Sequence, residues 1–202
     1  MKHLKFIALA FILTTIFSCN KDDSDDQQED IDQLVENFVT PNLIASLQQL
    51  GYNFNDGDEQ PDISGTFFYS THVLTATNVE NDAAIGTQFA TNTFTFSNLN
   101  PENRTFSFTG MDSSGSSFGN ATDTFYSGTG NDFSAYVKFT VTSGGETAIA
   151  LLAVSGTISE DGILNAQDAI LMLDNMGNPT DSFIENGKGR LFEDGDGTAE
   201  RL

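Results

Sequence analysis

The chain of 202 residues has a single cysteine, Cys19, so it cannot form a disulfide bond within itself. Tryptophan is absent, and the only histidines are His3 and His72. Zinc sites usually draw on several histidine or cysteine ligands, which this chain scarcely supplies. A Ser-His-Asp triad would depend on one of these two imidazoles, and a lone histidine is more often structural. No catalytic residue is therefore predicted, and the protein is not expected to be an enzyme.

Basic residues are also scarce. Eight lysines and arginines stand against 29 acidic residues, which gives a net charge of −21. Removal of residues 1–18, which contain Lys2 and Lys5 and no acidic residue, would bring the net charge to −23. Such a chain repels phosphate groups and anionic lipid headgroups. We therefore expect no nucleic-acid partner.

The N-terminus has the composition of an export signal. Basic residues open the chain, and an apolar run follows from Phe6 to Phe17, interrupted only by Thr14 and Thr15. This run of about a dozen residues is too short for a membrane-spanning helix, which needs roughly 20. Residues 1–18 are therefore predicted to be a signal peptide.

The only cysteine follows the apolar run directly, after Ser18. A cysteine in this place resembles the lipobox of bacterial lipoproteins, here with Ile16 where leucine is usual and with a bulky Phe17. The resemblance implies that the thiol of Cys19 receives diacylglycerol and that cleavage makes Cys19 the new N-terminus. Acyl chains on this residue would then attach the protein to a membrane. The alternative is an ordinary secretory signal in which the cysteine occurs by chance.

Beyond the cysteine, the run Lys21, Asp22 and Asp23 resembles the surface-export signal of Bacteroidetes lipoproteins. On that resemblance the protein is expected on the outer membrane, facing the outside of the cell. Residues 19–29 are polar and acidic without a hydrophobic pattern, which is typical of a flexible tether. A solvated tether is also the simpler explanation of the acidic run, and both interpretations can hold together.

A single folded domain is expected over residues 30–202. Its first part carries apolar residues at helical spacing. Pro41 is suited to the first turn of a helix, and Gly51 is suited to the position after its end. These features predict a helix pair, or one broken helix, over about residues 30–50. The apolar face of this segment must pack against the rest of the domain.

From Ile63 onward apolar and polar residues alternate, which is typical of half-buried strands. The clearest cases are residues 93–97 and 105–109, which a turn-forming stretch separates. Residues 148–158 are apolar on both faces in part, which predicts a central strand. The pattern indicates a mainly β domain of about eight to ten strands. We expect an antiparallel up-and-down β-barrel plugged by the N-terminal helix pair, with a β-sandwich as the alternative.

Two segments resemble the lipocalin-like, calycin-type domains of Bacteroidetes lipoproteins. They are Leu50-Gly51-Tyr52 followed by Pro61-Asp62-Ile63-Ser64-Gly65-Thr66, and the closing residues 189–197. The order of a helix and then many strands is similar as well, and the resemblance covers about residues 30–202. It implies a barrel that can enclose a ligand. Lipocalins proper carry a Gly-x-Trp sequence near the first strand, and this chain, which has no tryptophan, departs from them there.

The 18 phenylalanines must lie mostly in the core, because so much aromatic area would not stay exposed on a soluble domain. An eight-stranded barrel is just wide enough to be filled by side chains or to hold one small ligand. Two functions are therefore favoured: non-catalytic binding of a small ligand, or a surface interaction, adhesion or envelope role with a filled barrel. A glycan-directed hydrolase that uses a pair of carboxylates is a third option, ranked below them. The residues expected on the inner face are Phe67, Phe94, Phe96, Phe106, Phe108, Phe125, Phe133 and Phe139.

Calcium is the only ion that the sequence suggests, and no other cofactor is predicted. Residues 160–169 resemble the second half of an EF-hand loop. Thr157 stands where the first carboxylate ligand would be, so a strand–turn–strand segment is the alternative. A second acidic segment with Asp-Gly pairs lies near the C-terminus. The candidate ligands are Asp161, Asn165 and Asp168 in the first segment, and Asp194 and Asp196 in the second.

Overall fold

A computed structural model describes residue 35, residues 37–113, residue 118 and residues 121–202. The predicted signal peptide, the tether, and the residues Cys19, Lys21, Asp22 and Asp23 lie outside this part of the chain. Among the described residues, every helix is too short or too polar to cross a membrane.

The first helix whose bounds are defined in the described part of the chain is α1, Pro41–Leu50. Thr40 occupies the N-cap position without a hydrogen bond from its side chain, and Pro41 begins the helix as predicted. Gly51 ends it in the left-handed region at φ 86°, a conformation that glycine adopts without steric cost. The first half of the predicted helix pair falls mostly outside the described residues, although residues 37 and 38 are helical.

Twelve strands follow in the described part of the chain, so the domain is mainly β, as the alternation predicts. Two of them, β1 and β4, contain only two residues each. The strands are β1 (Asp58–Glu59), β2 (Gly65–Tyr69), β3 (His72–Thr77), β4 (Gln88–Phe89), β5 (Asn92–Asn100), β6 (Thr105–Asp112), β7 (Ala121–Thr129), β8 (Asp132–Ser143), β9 (Glu146–Ile158), β10 (Gly162–Asp174), β11 (Gly189–Asp194) and β12 (Thr198–Arg201).

The twelve described strands belong to one curled sheet, and nine of them follow the order β1-β7-β8-β9-β10-β12-β2-β5-β6. This order departs from the up-and-down prediction, in which each strand pairs with the next. Strand β10 branches: its first residues, 162–164, pair with β12, and residues 167–171 pair with β11. Through β11 the sheet continues to β3 and then to β4. Strand pairs such as β12–β2 and β11–β3 join distant parts of the chain, which local alternation cannot predict.

The two long edges of the curl, β6 and β7, approach each other without forming a regular ladder. Thr124 on β7 substitutes for part of that ladder, since its Oγ1 accepts from the amide of Phe106 at 3.1 Å. The same hydroxyl donates to the carbonyl oxygen of Phe106 at 2.7 Å. One backbone hydrogen bond, from Tyr126 to Arg104, lies nearby at 3.0 Å. The sheet is therefore an open, barrel-like curl.

The inner face of the curl is filled with aromatic and aliphatic side chains from eight strands. Seven of the eight phenylalanines predicted for this face lie there: Phe67, Phe94, Phe96, Phe106, Phe108, Phe133 and Phe139. The prediction for Phe125 is wrong, because this ring packs in a second cluster on the opposite face. Its neighbour Tyr126 points inward instead. With two aromatic residues in succession, alternation alone cannot decide which one faces the interior.

Helix α1 packs on the outer face of the sheet, so the predicted plug inside the barrel is wrong. Leu47 and Leu50 of the helix contact the same cluster as Leu151 of β9 and Leu171 of β10. Strand β9 is covered on both faces, which agrees with the prediction of a central strand over residues 148–158. The cluster that contains the helix residues therefore covers one face of β9, and the phenylalanine-rich interior covers the other.

Candidate functional site

Two adjoining cavities lie at one end of the inner face, where the branch formed by β11, β3 and β4 leaves the main sheet. The smaller chamber has a volume of about 200 Å³ and the larger about 360 Å³. Both are lined mainly by apolar side chains. The residues common to the two linings are Asp112, Phe118, Ile170, Ile184 and Arg190.

Most of the predicted inner phenylalanines fill the body of the curl, and Phe139 alone among the eight lines one of these chambers. Phe94, for example, is fully buried against Tyr69, Phe108 and Phe118, with ring centroids 4.9–5.6 Å apart. The interior is thus packed over most of its length and hollow at one end.

Among the described residues, Arg190 is the one arginine or lysine in either lining. Its guanidinium donates two hydrogen bonds to the carboxylate of Asp82, at 2.8 and 2.6 Å. These hydrogen bonds hold the pKa of Asp82 well below its usual range. Because the pair is bidentate, the arginine is fixed in orientation and its charge is largely neutralised. Arg190 therefore lines the cavity without offering an unpaired positive charge to a ligand.

A buried polar cluster forms one side of the smaller chamber. His72 Nε2 lies 2.8 Å from Asp168 Oδ1, and His72 Nδ1 lies 3.1 Å from the amide nitrogen of Asn92. An amide nitrogen can only donate, so Nδ1 must be unprotonated and Nε2 must carry the proton that it donates to Asp168. In this arrangement His72 is neutral, and both ring nitrogens are occupied.

The cluster has hydrogen-bonding capacity that the fold leaves unused. His72 and Asp168 are 3% and 0% exposed, and Phe192 stacks on the imidazole with ring centroids 4.1 Å apart. Asp168 Oδ2 and the hydroxyl of Tyr69 are buried and have no hydrogen-bond partner among the described residues. Buried polar atoms are nearly always paired, so two unpaired ones beside a histidine indicate a site that is not optimised for stability alone.

Several charges compete in setting the protonation of this cluster. Burial lowers the pKa of His72, but the charge and hydrogen bond of Asp168, with the charge of Asp194, raise it above its usual 6.5. Burial raises the pKa of Asp194 to about 6, although hydrogen bonds from the amides of Asp196 and Ser70 oppose the shift. Burial likewise raises the pKa of Tyr69, and the carboxylates of Asp168 and Asp194 add to this. Burial and neighbouring charges therefore raise the pKa values of both His72 and Asp194.

The His72–Asp168 pair differs from a catalytic triad, because Asp168 is bonded to Nε2 where a triad aspartate is bonded to Nδ1, and Asn92 occupies the other ring nitrogen. A Gly-x-Ser-x-Gly spacing does occur at residues 115–119, and its serine, Ser117, lies outside the described residues. In a nucleophile elbow this spacing joins a strand to a helix. Here it stands between two strands, β6 and β7, in the chain. That context favours a glycine-rich connection.

The candidate calcium ligands are distributed differently from the prediction. Asp168 and Asp194, assigned to separate sites, both lie near His72, while Asp161 and Asn165 lie exposed near the β9–β10 turn. Residues 158–162 form the strand–turn–strand alternative, closed by a 2.8 Å hydrogen bond from the Ser159 amide to the Gly162 carbonyl. Asp196 is exposed in the turn between β11 and β12. Within the described ranges, no three acidic, histidine or cysteine residues are grouped as a metal site would require. Structural calcium stays a prediction.

Sequence reasoning did not identify the chamber residues His72, Asn92, Ile170 and Phe192 as a group. They come from β3, β5, β10 and β11, and the pair His72–Asp168 is 96 residues apart in the chain. The only available signal was the single histidine of the folded part, set in a strand next to aromatic residues.

Comparison of the chain with protein families, with curated proteins and with solved structures finds no match, so the fold and the site stand on their own geometry.

Proposed function

We propose that the protein is a lipoprotein anchored through Cys19 to the outer membrane, facing outward, and that its β domain binds one small apolar ligand without catalysis. The binding site is the pair of adjoining chambers at the end of the curl. This role is similar to that of lipocalin-like domains, whose strands surround a ligand. The charge of the chain and the acidic tether at residues 19–29 are compatible with display on a cell surface.

The observation that carries the proposal is the hollow, apolar end of an otherwise filled interior. Ligand pockets in proteins typically enclose about 300–1,000 Å³ and combine an apolar lining with a few placed polar groups. The larger chamber, at about 360 Å³, falls at the lower end of that range, and the smaller one adjoins it. His72, Asn92 and Asp112 are the polar groups of the smaller chamber besides Arg190.

The packed phenylalanines limit the size of the ligand. Because Phe94, Phe96 and Phe133 are fully buried, a long chain could not extend further into the curl without displacing them. We therefore expect a compact ligand of one or two rings, or a short acyl group. A neutral molecule is favoured, because the chain is strongly acidic and Arg190 is already paired with Asp82.

The experiment is a titration of the purified chain with N-phenylnaphthylamine, a neutral probe that fluoresces when it leaves water. Ile170 borders both chambers, so the Ile170→Trp variant should fill the space and weaken binding by about tenfold or more. Leu164→Trp is the matched control, since Leu164 is 38% exposed on the same strand and lines neither chamber. It should bind the probe as the wild type does.

Equal binding by the wild type and Ile170→Trp would contradict the assignment of the site. Absence of binding altogether would favour the second candidate, a surface interaction or envelope protein with no small ligand. The filled interior is the specific observation behind that candidate, because a core of this kind supports a rigid display scaffold equally well.

A further inference from the structure

Another cavity, of about 370 Å³, lies on the outer face of the sheet, where the loop after α1 meets the start of β8 and the end of β9. We call it the polar cavity, since most of its lining residues are polar, among them Asn53, Asp132, Ser155 and Thr157. Among the described residues it shares none with the two apolar chambers, which contact the opposite ends of β8 and β9. The polar cavity is therefore separate from the site proposed for an apolar ligand.

A row of buried polar side chains crosses the outer face of the sheet beneath this loop. The registers of β7 to β10 place four residues side by side on neighbouring strands: Ser127, Ser134, Ser155 and Gln167. Each of the four is at most 7% exposed. Buried polar groups need hydrogen-bond partners, so this row depends on groups that the loop or a bound molecule supplies.

The loop forms hydrogen bonds with three members of the row. The amide of Asn53 donates to Gln167 Oε1 at 3.1 Å, and the amide of Asn55 donates to a serine hydroxyl on β8 at 2.8 Å. Ser127 Oγ donates to the carbonyl oxygen of Asn55 at 2.9 Å. The fourth member, Ser155, is 1% exposed, and its hydroxyl has no hydrogen-bond partner among the described residues. Because Ser155 lines the polar cavity, a molecule bound there can provide the missing partner.

Tyr52 brings another buried hydroxyl to the same place. This residue lines the polar cavity and is 4% exposed, and within the described part of the chain its hydroxyl is unpaired. Burial raises the pKa of Tyr52, and the nearby hydroxyls of Ser134, Ser155 and Tyr136 oppose the shift only in part. These hydroxyls lie close to that of Tyr52 without reaching hydrogen-bonding geometry with it. Tyr52 therefore keeps its proton and can donate it to a ligand.

The charges around the polar cavity favour a neutral ligand. Among the described residues no lysine, arginine or histidine lines it, so an anion would find no positive partner there. Asp132 is the one carboxylate of the described lining, and its Oδ1 already accepts from the hydroxyl of Thr157 at 2.5 Å. A metal ion would need several grouped ligands, which the described part of the chain does not bring together. A neutral molecule rich in hydrogen-bonding groups remains.

We propose that the polar cavity binds one ring of a neutral carbohydrate. Sugar hydroxyls both donate and accept, so one ring can pair with the hydroxyls of Ser155 and Tyr52 and with the carboxylate of Asp132. Phe54 also lines the cavity, edge-on to Tyr52 with ring centroids 5.0 Å apart, and offers an apolar surface to the C–H groups of the sugar.

The size of the cavity and its rim define the ligand further. A volume of about 370 Å³ lies near the lower end of the range for ligand sites, which suits a single ring. Asn53, Asp132 and Asn165 are exposed at the rim, so the rest of a longer glycan can extend into solvent. This inference goes beyond the proposed function, because the carbohydrate and the apolar ligand occupy different sites.

The test is an NMR titration of the purified chain, with isotope-labelled tyrosine rings, against glucose, galactose, mannose and N-acetylglucosamine. The four tyrosines report on both faces of the sheet: Tyr52 and Tyr136 lie in the outer cluster, and Tyr69 and Tyr126 face the interior. At least one of these sugars should shift the Tyr52 signal saturably, with a Kd of about 1 mM or lower, and leave Tyr69 and Tyr126 unchanged. If none of the four shifts Tyr52 saturably, the cavity holds only ordered water and the inference is overturned.

Variants locate the sugar. Ser155→Ala removes one unpaired hydroxyl and should weaken sugar binding about threefold to tenfold, the size of one net hydrogen bond. Because that hydroxyl has no partner among the described residues, the same substitution should not lower the urea midpoint of unfolding. Ser143→Ala is the matched control, since it makes the same change at the exposed end of β8, and it should bind as the wild type does. Wild-type affinity in Ser155→Ala overturns the inference.

Ile170→Trp distinguishes the polar cavity from the apolar chambers. This variant fills the space that Ile170 borders in both chambers, so it should leave sugar binding intact. Loss of sugar binding in Ile170→Trp would place the sugar in the chambers and overturn the inference. Intact sugar binding without any binding of N-phenylnaphthylamine to the wild type would support this inference and contradict the proposed function.

Discussion

The His72→Leu variant is expected to lose about 3–5 kcal/mol of unfolding free energy at neutral pH, because it leaves a buried carboxylate without its partner. Asp168 is fully buried, and His72 provides the only hydrogen bond that its side chain makes within the described part of the chain. The total free energy of unfolding of a folded domain is only about 5–15 kcal/mol, so this is a severe loss. Urea unfolding followed by circular dichroism measures it.

A double variant separates the buried charge from lost packing. His72→Leu combined with Asp168→Leu removes both partners, and apolar replacement of a buried pair is often close to neutral. The double variant should therefore be more stable than His72→Leu alone. A double variant as unstable as the single one would show that packing, and not the carboxylate, dominates.

The second large effect is expected at the N-terminus, where Cys19→Ser should abolish incorporation of labelled palmitate completely. Serine has no thiol to accept diacylglycerol, so the acyl chains that anchor the protein would be absent. Ser18→Gly is the matched control, because it alters the neighbouring residue and leaves the thiol in place. Labelling of Cys19→Ser at the wild-type level would refute lipidation at this residue.

Outward display is tested separately in a Bacteroidetes host. Replacing Lys21, Asp22 and Asp23 by alanine should leave palmitate labelling intact and protect the domain from protease added to whole cells. A triple variant that stays as accessible as the wild type would show that these residues serve only as a tether.

Helix ends and strand alternation could be predicted from the sequence, because they depend on residues that are neighbours in the chain. Pro41 and Gly51 bound α1 because the first residue of a helix needs no amide hydrogen and the position after its end needs a positive φ. The alternation over residues 93–97 and 105–109 identified the β5–β6 hairpin because a buried face repeats every second residue. Strand β9 was recognisable because apolar residues occupy both of its faces.

The remaining features depend on pairings between distant residues. The branch of β10 towards β12 and β11 is set by side-chain packing across the sheet, which alternation does not encode. The position of α1 on the outer face depends on its packing in one cluster with residues of β9, β10 and β11. To predict the contact between His72 and Asp168, one would have to know the registers in which β11 pairs with both β3 and β10. Asp168 was consequently interpreted as a calcium ligand, although its partner is an imidazole.

The most direct test of the ligand-binding cavity is the NMR signal of the Met172 methyl group during titration with N-phenylnaphthylamine. Met172 lines the larger chamber and is 5% exposed. Met111 and Met176, which are 47% and 53% exposed and line neither chamber, are internal references. An aromatic probe in the cavity should shift the Met172 resonance through its ring current and leave the other two nearly unchanged. If Met172 stays fixed while the probe binds, or if only the exposed methionines respond, the ligand does not occupy the cavity.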